Sequence, residues 1–311
     1  MLINTKKQDS KDLEVSGDAS VDTELLLKAF PKGVVVFDLE TTGLSSLCDS
    51  IIEIGAIKVS PDGSLDHFQT LINPGKPISE RSIKIHHITD DMVKEAPKTE
   101  ESIKKFYEFI EDFDLVAHNA QFDAGFIIFD LHMHSLEPKA NSIYCSCLYA
   151  RRTIRDAANH KLSTLAHKFG IDMNRHHRAY DDALTCLSIL QNSLKNDPKL
   201  KLLNKAKLYE LKQFKKNVVA TEDKKMKFLF ESSKENTPIL IEYNGGTYKN
   251  IKRPITPVAL MPTPRGNVLY ALCLITDNYK SFMLKKIDRY ETATQEEVQG
   301  LILKLNSPNR S

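Results

Sequence analysis

The sequence has few cysteines and no long apolar run. Its five cysteines are scattered over 311 residues and odd in number, so the disulfide framework of a secreted domain is not predicted. The longest apolar run, residues 268–275, is far shorter than the roughly 20 residues that cross a bilayer. Only Leu2 and Ile3 precede the first polar residues, so no signal-peptide core is expected. These absences predict a cytoplasmic protein without a membrane partner.

Charge is balanced over the whole chain but unevenly distributed along it. The totals are 43 Lys and Arg against 41 Asp and Glu. Residues 201–311 carry 20 of these basic residues against 11 acidic ones, which leaves 23 against 30 for residues 1–200. An acidic front half and a basic back half favour a metal-binding module joined to a part that contacts polyanions. An ordinary solvated lysine surface is the alternative explanation.

The length and the changes in pattern along the chain predict two domains. Strands and amphipathic helices alternate in the first part, whereas short strands separated by turns dominate the last part. The predicted divisions are a disordered or partly helical tail at 1–28, an α/β domain at 29–196, a basic helical linker at 197–225 and a β-rich domain at 226–311. Within the first domain, we expect a loop from residue 73 to residue 89.

The strand at residues 34–37 carries the most informative pair of acids. Four apolar residues in a row predict a buried strand, and Asp38 and Glu40 follow at its end. Side chains alternate along a strand, so these two carboxylates project from the same face. Because they repel each other, a divalent metal ion between them is the natural counter-charge. The alternative without a functional role is a strand that ends in two solvated acids.

Two further acids and one histidine lie at positions that are typical of active-site residues. Asp123 begins a predicted helix after a strand, where active-site groups of α/β sheets gather, and Asp182 lies in the first turn of the last helix. Four carboxylates could hold two divalent cations, and oxygen ligands favour Mg²⁺ or Mn²⁺. His177 would then be the general base that deprotonates a water molecule.

Three segments resemble the motifs of one enzyme family in the correct order. They are residues 38–44 (DLETTGL), residues 118–123 (HNAQFD) and residues 177–182 (HRAYDD). The chain resembles the DEDDh (DnaQ-like) 3′–5′ exonucleases over about residues 32–194. The resemblance implies a ribonuclease-H-like mixed sheet flanked by helices. It also implies that Asp38, Glu40, Asp123, His177 and Asp182 form the catalytic set, with all but His177 binding metal.

The same resemblance implies a binding site for the 3′-terminal nucleotide. The backbone around Thr41 and Thr42 and the side chain of Leu44 would hold this nucleotide. His86, Asn119 and Phe122 are additional candidates for substrate binding. Core packing is the alternative role for Phe122, and satisfying a strand-to-helix turn is the alternative role for Asn119.

The last domain resembles the WYL domain, a small Sm-like β-barrel. The matching segments are residues 241–243, 253–257, 269–271 and 280–284. The name-giving Trp-Tyr-Leu is replaced by Leu-Tyr-Ala at residues 269–271, and Lys280 stands where Arg is usual. The resemblance implies a nucleotide or nucleic-acid ligand, for which Arg253 and Lys280 are the candidate phosphate contacts. Ordinary surface charge is the alternative for both residues.

Together these observations predict a metal-dependent 3′–5′ exonuclease. Its expected substrate is single-stranded or 3′-ended nucleic acid, with DNA favoured over RNA, and its products are nucleoside 5′-monophosphates. The alternatives are a nucleic-acid-sensing regulator that uses the exonuclease fold only for binding, an RNA-trimming exoribonuclease, and a polymerase-bound proofreading subunit. A binding module has no need of all five catalytic residues, which argues against the regulator.

Overall fold

The computed structural model describes residues 21–171, 178–214 and 224–306. They divide into two compact units. The first unit lies within Met1–Gly43 and Ser50–Gln213, and the second lies within Leu44–Asp49 and Phe214–Ser311. In the described part of the chain, no helix is both long and apolar enough to span a membrane.

The first unit is built on a six-stranded mixed sheet. The strands are β1 (Val34–Thr41), β2 (Ile51–Val59), β3 (Leu65–Leu71), β4 (Asp114–Ala117), β5 (Ser142–Cys145) and β6 (Lys207–Glu210). Their order is β3-β2-β1-β4-β5-β6. The β1–β4 and β4–β5 pairs are parallel, and the other three pairs are antiparallel. The mixed α/β fold predicted from the sequence is thus confirmed.

Eight helices accompany this sheet in the described residues. They are α1 (Thr23–Ala29), α2 (Glu80–His86), α3 (Asp90–Val93), α4 (Thr99–Phe109), α5 (Gln121–Met133), α6 (Ser146–Thr153), α7 (Leu162–Lys168) and α8 (Ala179–Lys195). Helix α8 packs on β1 and β2, and its Leu187, Leu190 and Leu194 share a buried cluster with Val34 and Val36. All nine residues of β2 are buried, as expected for a strand covered on both faces.

A glycine on β2 determines how closely α8 approaches the sheet. Gly55 pairs with Asp38 across the β1–β2 ladder, so the two residues belong to the same face of the sheet. A Cβ atom on Gly55 would lie 2.1 Å from the backbone nitrogen of Tyr180. The first turn of α8 therefore rests directly on β2, beside the acidic end of β1.

Two local predictions differ from the structure. The expected loop at residues 73–89 contains α2, whose N-terminus is capped by the Ser79 hydroxyl accepting from Ser82 N–H at 3.2 Å. The predicted helical linker includes β6, which pairs with β5 at the edge of the sheet. The leucine spacing that suggested a helix arises because Leu203 and Leu211 are buried in 3₁₀ turns on either side of β6. Residues 215–223 of that linker, and residues 1–20 of the predicted tail, lie outside the described residues.

In the described residues, the second unit contains an antiparallel five-stranded sheet and two α-helices. Its elements are α9 (Lys224–Glu235), β7 (Ile239–Tyr243), β8 (Lys252–Met261), β9 (Val268–Cys273), β10 (Asn278–Met283), β11 (Ile287–Thr292) and α10 (Gln295–Asn306). The strand order is β10-β9-β8-β7-β11. We predicted a β-barrel, but the sheet formed by the described strands is open. A 3₁₀ turn takes the chain from β10 at one edge to β11 at the other, and these two strands do not pair.

The short segment Leu44–Asp49 belongs to this second unit. The Leu260 N–H on β8 donates to Ser45 Oγ at 3.2 Å, and the Leu47 N–H donates to the Leu260 carbonyl at 3.4 Å. Ser45, Ser46 and Leu47 are all buried. The second unit is therefore assembled from two parts of the chain, one of which lies between β1 and β2.

The close contact at Gly55 generates the first prediction. Gly55→Ala should destabilise the protein by about 1–3 kcal/mol, because the added methyl group meets helix backbone that cannot move aside alone. Thermal unfolding measures the effect. Gly300→Ala is the control, since nothing lies within 4 Å of its added Cβ and alanine favours the helix α10. Equal unfolding temperatures for the two variants would contradict the prediction.

Candidate functional site

Three carboxylates meet at the end of β1. Asp38 and Glu40 lie on this strand and project from one face, and Asp182 lies in the first turn of α8. One ligand oxygen from each of these three side chains lies within 4.8 Å of the other two. Glu40 and Asp182 are 9% and 7% exposed. The structure thus brings together residues that are up to 144 positions apart in the sequence.

Asp123 lies against the same strand from α5. Its side chain is buried, with the whole residue 2% exposed. Burial raises the pKa of the Asp123 carboxyl to about 8, although hydrogen bonds from its own backbone N–H and that of Leu39 lower it. Leu39 lies between Asp38 and Glu40, so this contact places the Asp123 carboxyl next to their strand. The four predicted metal ligands therefore converge on β1.

Burial and mutual repulsion perturb these acids. Desolvation, followed by the charges of Asp123, Asp182 and Glu40, raises the pKa of Asp38 well above its usual range. The pKa of Glu40 is raised to about 8, mainly by desolvation and by the charge of Asp182. Each ionised carboxylate makes ionisation of the next one harder. Ionisation of the whole cluster is therefore unfavourable unless a positive charge lies close to it.

The donor set fits divalent cations. All four converging side chains offer carboxylate oxygens, the ligands that Mg²⁺ and Mn²⁺ prefer over softer nitrogen or sulfur donors. A bound cation would reverse the repulsion described above, because it stabilises the ionised form of every ligand. Asp38, Glu40, Asp123 and Asp182 are therefore the residues that could hold metal. The predicted base, His177, lies in 172–177, outside the described residues.

Two further residues that contact this region were not predicted from the sequence. Glu53 on β2 is directly opposite Glu40 in the strand ladder and is completely buried. It forms an ion pair with Arg178, the residue just before α8. The available signal was a single acid within the apolar segment of β2, since an acid is rarely buried without a partner.

The threonines predicted to contact substrate are buried at the end of β1. The Thr41 hydroxyl donates to the Gly43 carbonyl at 2.7 Å, and Thr42 Oγ1 accepts from the Ser50 N–H at 3.0 Å. Both hydroxyls therefore serve the turn itself, and so does the Thr42 N–H, which donates to the Ser50 carbonyl at 2.9 Å. Leu44, which belongs to the second unit, is 50% exposed.

The other substrate candidates in the first unit have structural roles. His86 is 2% exposed, and its Nδ1 accepts from the Ile88 N–H at 3.0 Å. Asn119 adopts a left-handed conformation, with φ of 66°, in the turn between β4 and α5. The ring of Phe122 packs edge-to-face on Phe126 with centroids 5.1 Å apart. Of these three residues, Asn119 is the exposed one.

The candidate ligand contacts of the second unit lie on β8 and β10. Arg253 is 4% exposed, with its guanidinium carbon 4.9 Å from the Tyr248 ring centre and 5.3 Å from that of Phe282. Its Nε is buried without a hydrogen-bond partner. Burial also lowers the pKa of Arg253. Lys280 on β10 is half-buried.

Sequence comparison identifies the family of the first unit. The profile of the Exonuclease family, RNase_T, matches residues 35–190, half of the chain. The chain belongs to the Exonuclease family. The four converging carboxylates all lie within the matched exonuclease domain.

The chain is also similar to much longer curated proteins. It is 41% identical over 162 residues to the DNA polymerase III PolC-type of Bacillus cereus, covering 52% of this chain and 11% of that protein. For the corresponding protein of Pediococcus pentosaceus, the identity is 40% over 151 residues, covering 49% and 10%. The chain thus spans about a tenth of the length of these relatives.

Similar solved structures include two exonucleases. Exonuclease X in complex with 5′ overhanging duplex DNA is 25% identical, covering 53% of this chain and 93% of that chain, with a TM-score of 0.43. E. coli Exonuclease I in complex with a dT13 oligonucleotide is 12% identical, covering 89% and 72%, with a TM-score of 0.49.

The raised pKa values of the exonuclease domain generate a prediction about stability. A carboxyl whose pKa is raised by folding stabilises the native state below its unfolded pKa, and this contribution is lost as the pH rises through the raised value. In chelator, the unfolding temperature should therefore fall between about pH 4 and about pH 8, the raised pKa of Glu40. Mg²⁺ or Mn²⁺ should restore most stability at the upper end of this range. Calorimetry with and without metal measures both effects.

A matched pair of variants tests the cause. Asp38→Asn removes one of the repelling carboxylates, so it should flatten the pH dependence in chelator and weaken stabilisation by metal. Asp91→Asn is the control, because the Asp91 side chain is 91% exposed and pairs only with the exposed Lys94 among the described residues. If Asp38→Asn followed the wild-type curve with and without metal, the carboxylate cluster would not be the source of the pH dependence.

Proposed function

We propose that the protein is a cytoplasmic, metal-dependent 3′–5′ exonuclease of the DEDDh subclass. The observation that carries this proposal is the convergence of four carboxylates on β1, all at least partly buried and three of them with oxygens within 4.8 Å of one another. Membership in the Exonuclease family supports hydrolysis of nucleic-acid ends. The reaction is hydrolysis of the terminal phosphodiester, which breaks the bond between phosphorus and the 3′ oxygen and releases a nucleoside 5′-monophosphate.

The side chains would divide the chemistry among themselves. Asp38, Glu40, Asp123 and Asp182 would hold two divalent cations, which stabilise charge on the phosphate and on the leaving oxygen when bound. His177 would accept the proton of the attacking water molecule, a role suited to a group that titrates near neutral pH. The backbone at Thr41 and Thr42, whose side chains are used within their turn, would contact the terminal nucleotide.

We propose single-stranded or 3′-ended DNA as the substrate, in preference to RNA. The relatives that match about half of this chain at 40–41% identity are DNA polymerases by name. The metal chemistry itself acts on the phosphate and is indifferent to the sugar, so the preference rests on this likeness. The charge excess of residues 201–311 would add sequence-independent attraction to the strand.

We further propose that the second unit, although its sheet is open, is related to the WYL domain and binds a nucleotide or nucleic-acid phosphate. Arg253 is buried between two aromatic rings, and no carboxylate in the described residues forms an ion pair with it. A buried cation without a counter-charge is costly, so an anionic ligand would relieve it. Lys280 would add a second, more accessible positive charge.

Activity measurements test the exonuclease proposal. Asp38→Asn and Asp182→Asn should each abolish release of 5′-monophosphates from 5′-labelled oligonucleotides, because each removes a metal ligand. Single-stranded DNA should be degraded faster than RNA of the same sequence in Mg²⁺ or Mn²⁺. Wild-type turnover by either variant would contradict the assignment of the metal ligands.

The proposed base makes a separate prediction. His177→Ala should lower the exonuclease rate by about 10²–10⁴-fold while stabilisation of the protein by Mn²⁺ persists, since general-base catalysis typically contributes this much. His176→Ala is the control, because its spacing from Asp182 does not fit the motif. Equal losses of rate in the two variants would show that the base is misassigned.

The ligand of the second unit can be probed with Arg253→Met. The substitution removes a buried charge but keeps an unbranched side chain, so the ligand-free protein should be as stable as wild type or more stable. A nucleoside 5′-monophosphate should raise the unfolding temperature of a background Asp38→Asn protein, and this shift should disappear with Arg253→Met. Lys252→Met, at the neighbouring exposed position, should retain the shift. Retention of the shift by Arg253→Met would exclude the site.

A further inference from the structure

Glu53 is an acid within a strand that is otherwise almost entirely apolar. It lies on β2, which pairs with β1 and β3, is directly opposite Glu40 and is fully buried. A carboxylate in such a place requires a positively charged, hydrogen-bonded partner, because its desolvation is otherwise expensive. The identity and position of this partner therefore indicate the role of Glu53.

The partner is the residue that precedes α8. Arg178 Nε lies 3.2 Å and 3.1 Å from the two Glu53 carboxylate oxygens, and Nη2 lies 2.7 Å from Oε1. The planar guanidinium thus engages both oxygens, an arrangement with strong directional preference. Gln69 on β3 also donates from its Nε2 to Oε1, at 3.4 Å.

The same carboxylate also caps the helix. The Ala179 N–H, the first of α8, donates to Glu53 Oε2 at 3.1 Å. The Arg178 side chain cannot accept a hydrogen bond, so the usual capping function of this position is supplied from β2. A carboxylate at a helix N-terminus is also favoured by the helix dipole. Glu53 therefore holds both the last residue before α8 and the first residue within it.

A single backbone hydrogen bond connects Arg178 to Asp182, one of the proposed metal ligands. The Asp182 N–H donates to the Arg178 carbonyl at 3.0 Å, which is the first backbone hydrogen bond of α8. Gly55 lies two residues after Glu53 on the same face of β2. Because it has no side chain, the backbone of Tyr180 packs directly against it. Glu53 thus fixes the position of the turn that presents Asp182 to Asp38 and Glu40.

We propose that Glu53 and Arg178 are positioning residues for catalysis, which set the first turn of α8 so that Asp182 meets the carboxylates of β1. This inference rests on the proposed exonuclease function. Neither residue is assigned a contact with substrate or metal. Arg178 directly follows His177 in the chain, so the pair also anchors the residue next to the proposed base.

Glu53→Gln tests the proposal because it keeps the size of the side chain but removes its charge. We expect kcat to fall by about 10–100-fold, with the KM for the oligonucleotide nearly unchanged, as is typical when the support of a metal ligand is lost. The Mn²⁺ concentration needed for half-maximal activity should rise. An ordinary structural role would instead lower the unfolding temperature without moving this metal requirement. Asp156→Asn, which removes the surface ion pair with Lys168, is the control and should change neither.

Variants of Arg178 provide rescue and a safeguard against misfolding. Arg178→Lys retains the charge and should preserve more activity than Arg178→Met, although a lysine cannot engage both oxygens. Arg178→Met leaves a buried carboxylate unpaired and can unfold the protein. The double variant Glu53→Gln with Arg178→Met removes both charges, so it should fold and show no greater loss of kcat than the worse single variant.

The outcomes separate this inference from the proposed function. If the wild type degrades DNA and Glu53→Gln keeps its kcat and metal requirement within about twofold, the positioning role is wrong while the exonuclease stands. If the wild type lacks nuclease activity, the proposed function fails. The positioning role is then judged by calorimetry alone: it is supported if Glu53→Gln loses stabilisation by Mn²⁺ and overturned if it keeps it.

Discussion

The repulsion among buried carboxylates is the constraint on which the first unit depends. Two of these carboxylates, Asp38 and Glu40, lie on β1 itself. The other two, Asp123 and Asp182, reach β1 from the first turns of α5 and α8. Each carboxylate is partly or wholly removed from water. Charges of the same sign repel each other most strongly in such a low-dielectric environment. The scaffold must therefore be rigid enough to hold these groups together against their own field. The continuous apolar burial of β1 and β2 supplies that rigidity.

Most of the fold and the positions of the clustered acids could be predicted from local patterns. The apolar run before Asp38, and the i and i+2 spacing of Asp38 and Glu40, are properties of a single strand, so the sequence alone indicates their common face. The choice of Asp182 over Asp181 came from motif spacing, and the structure places the Asp182 carboxylate beside those of β1. Local pattern was sufficient wherever one element determined the geometry.

The features that were missed depend on partners far away in the chain. Strand β6 exists because Lys207–Glu210 pairs with β5, more than 60 residues earlier, and its own leucine spacing resembles that of a helix. The role of Glu53 depends on Arg178, which is 125 residues away. Helix α2 is short, and its local signals lie only at its two ends, with the capping Ser79 and Glu80 at the start and Lys84 in the last turn. No periodicity within a short window contains this information.

The two-part composition of the second unit has a consequence for dividing the protein. Leu44–Asp49 belongs to that unit, yet the chain enters it from β1 and returns to β2. A single cut after Gln213 would leave Ser45 and Leu47 attached to the exonuclease domain and without their hydrogen bonds to Leu260. A fragment that begins at Phe214 would lack the same six residues. The protein therefore has no single cleavage point that yields both units intact.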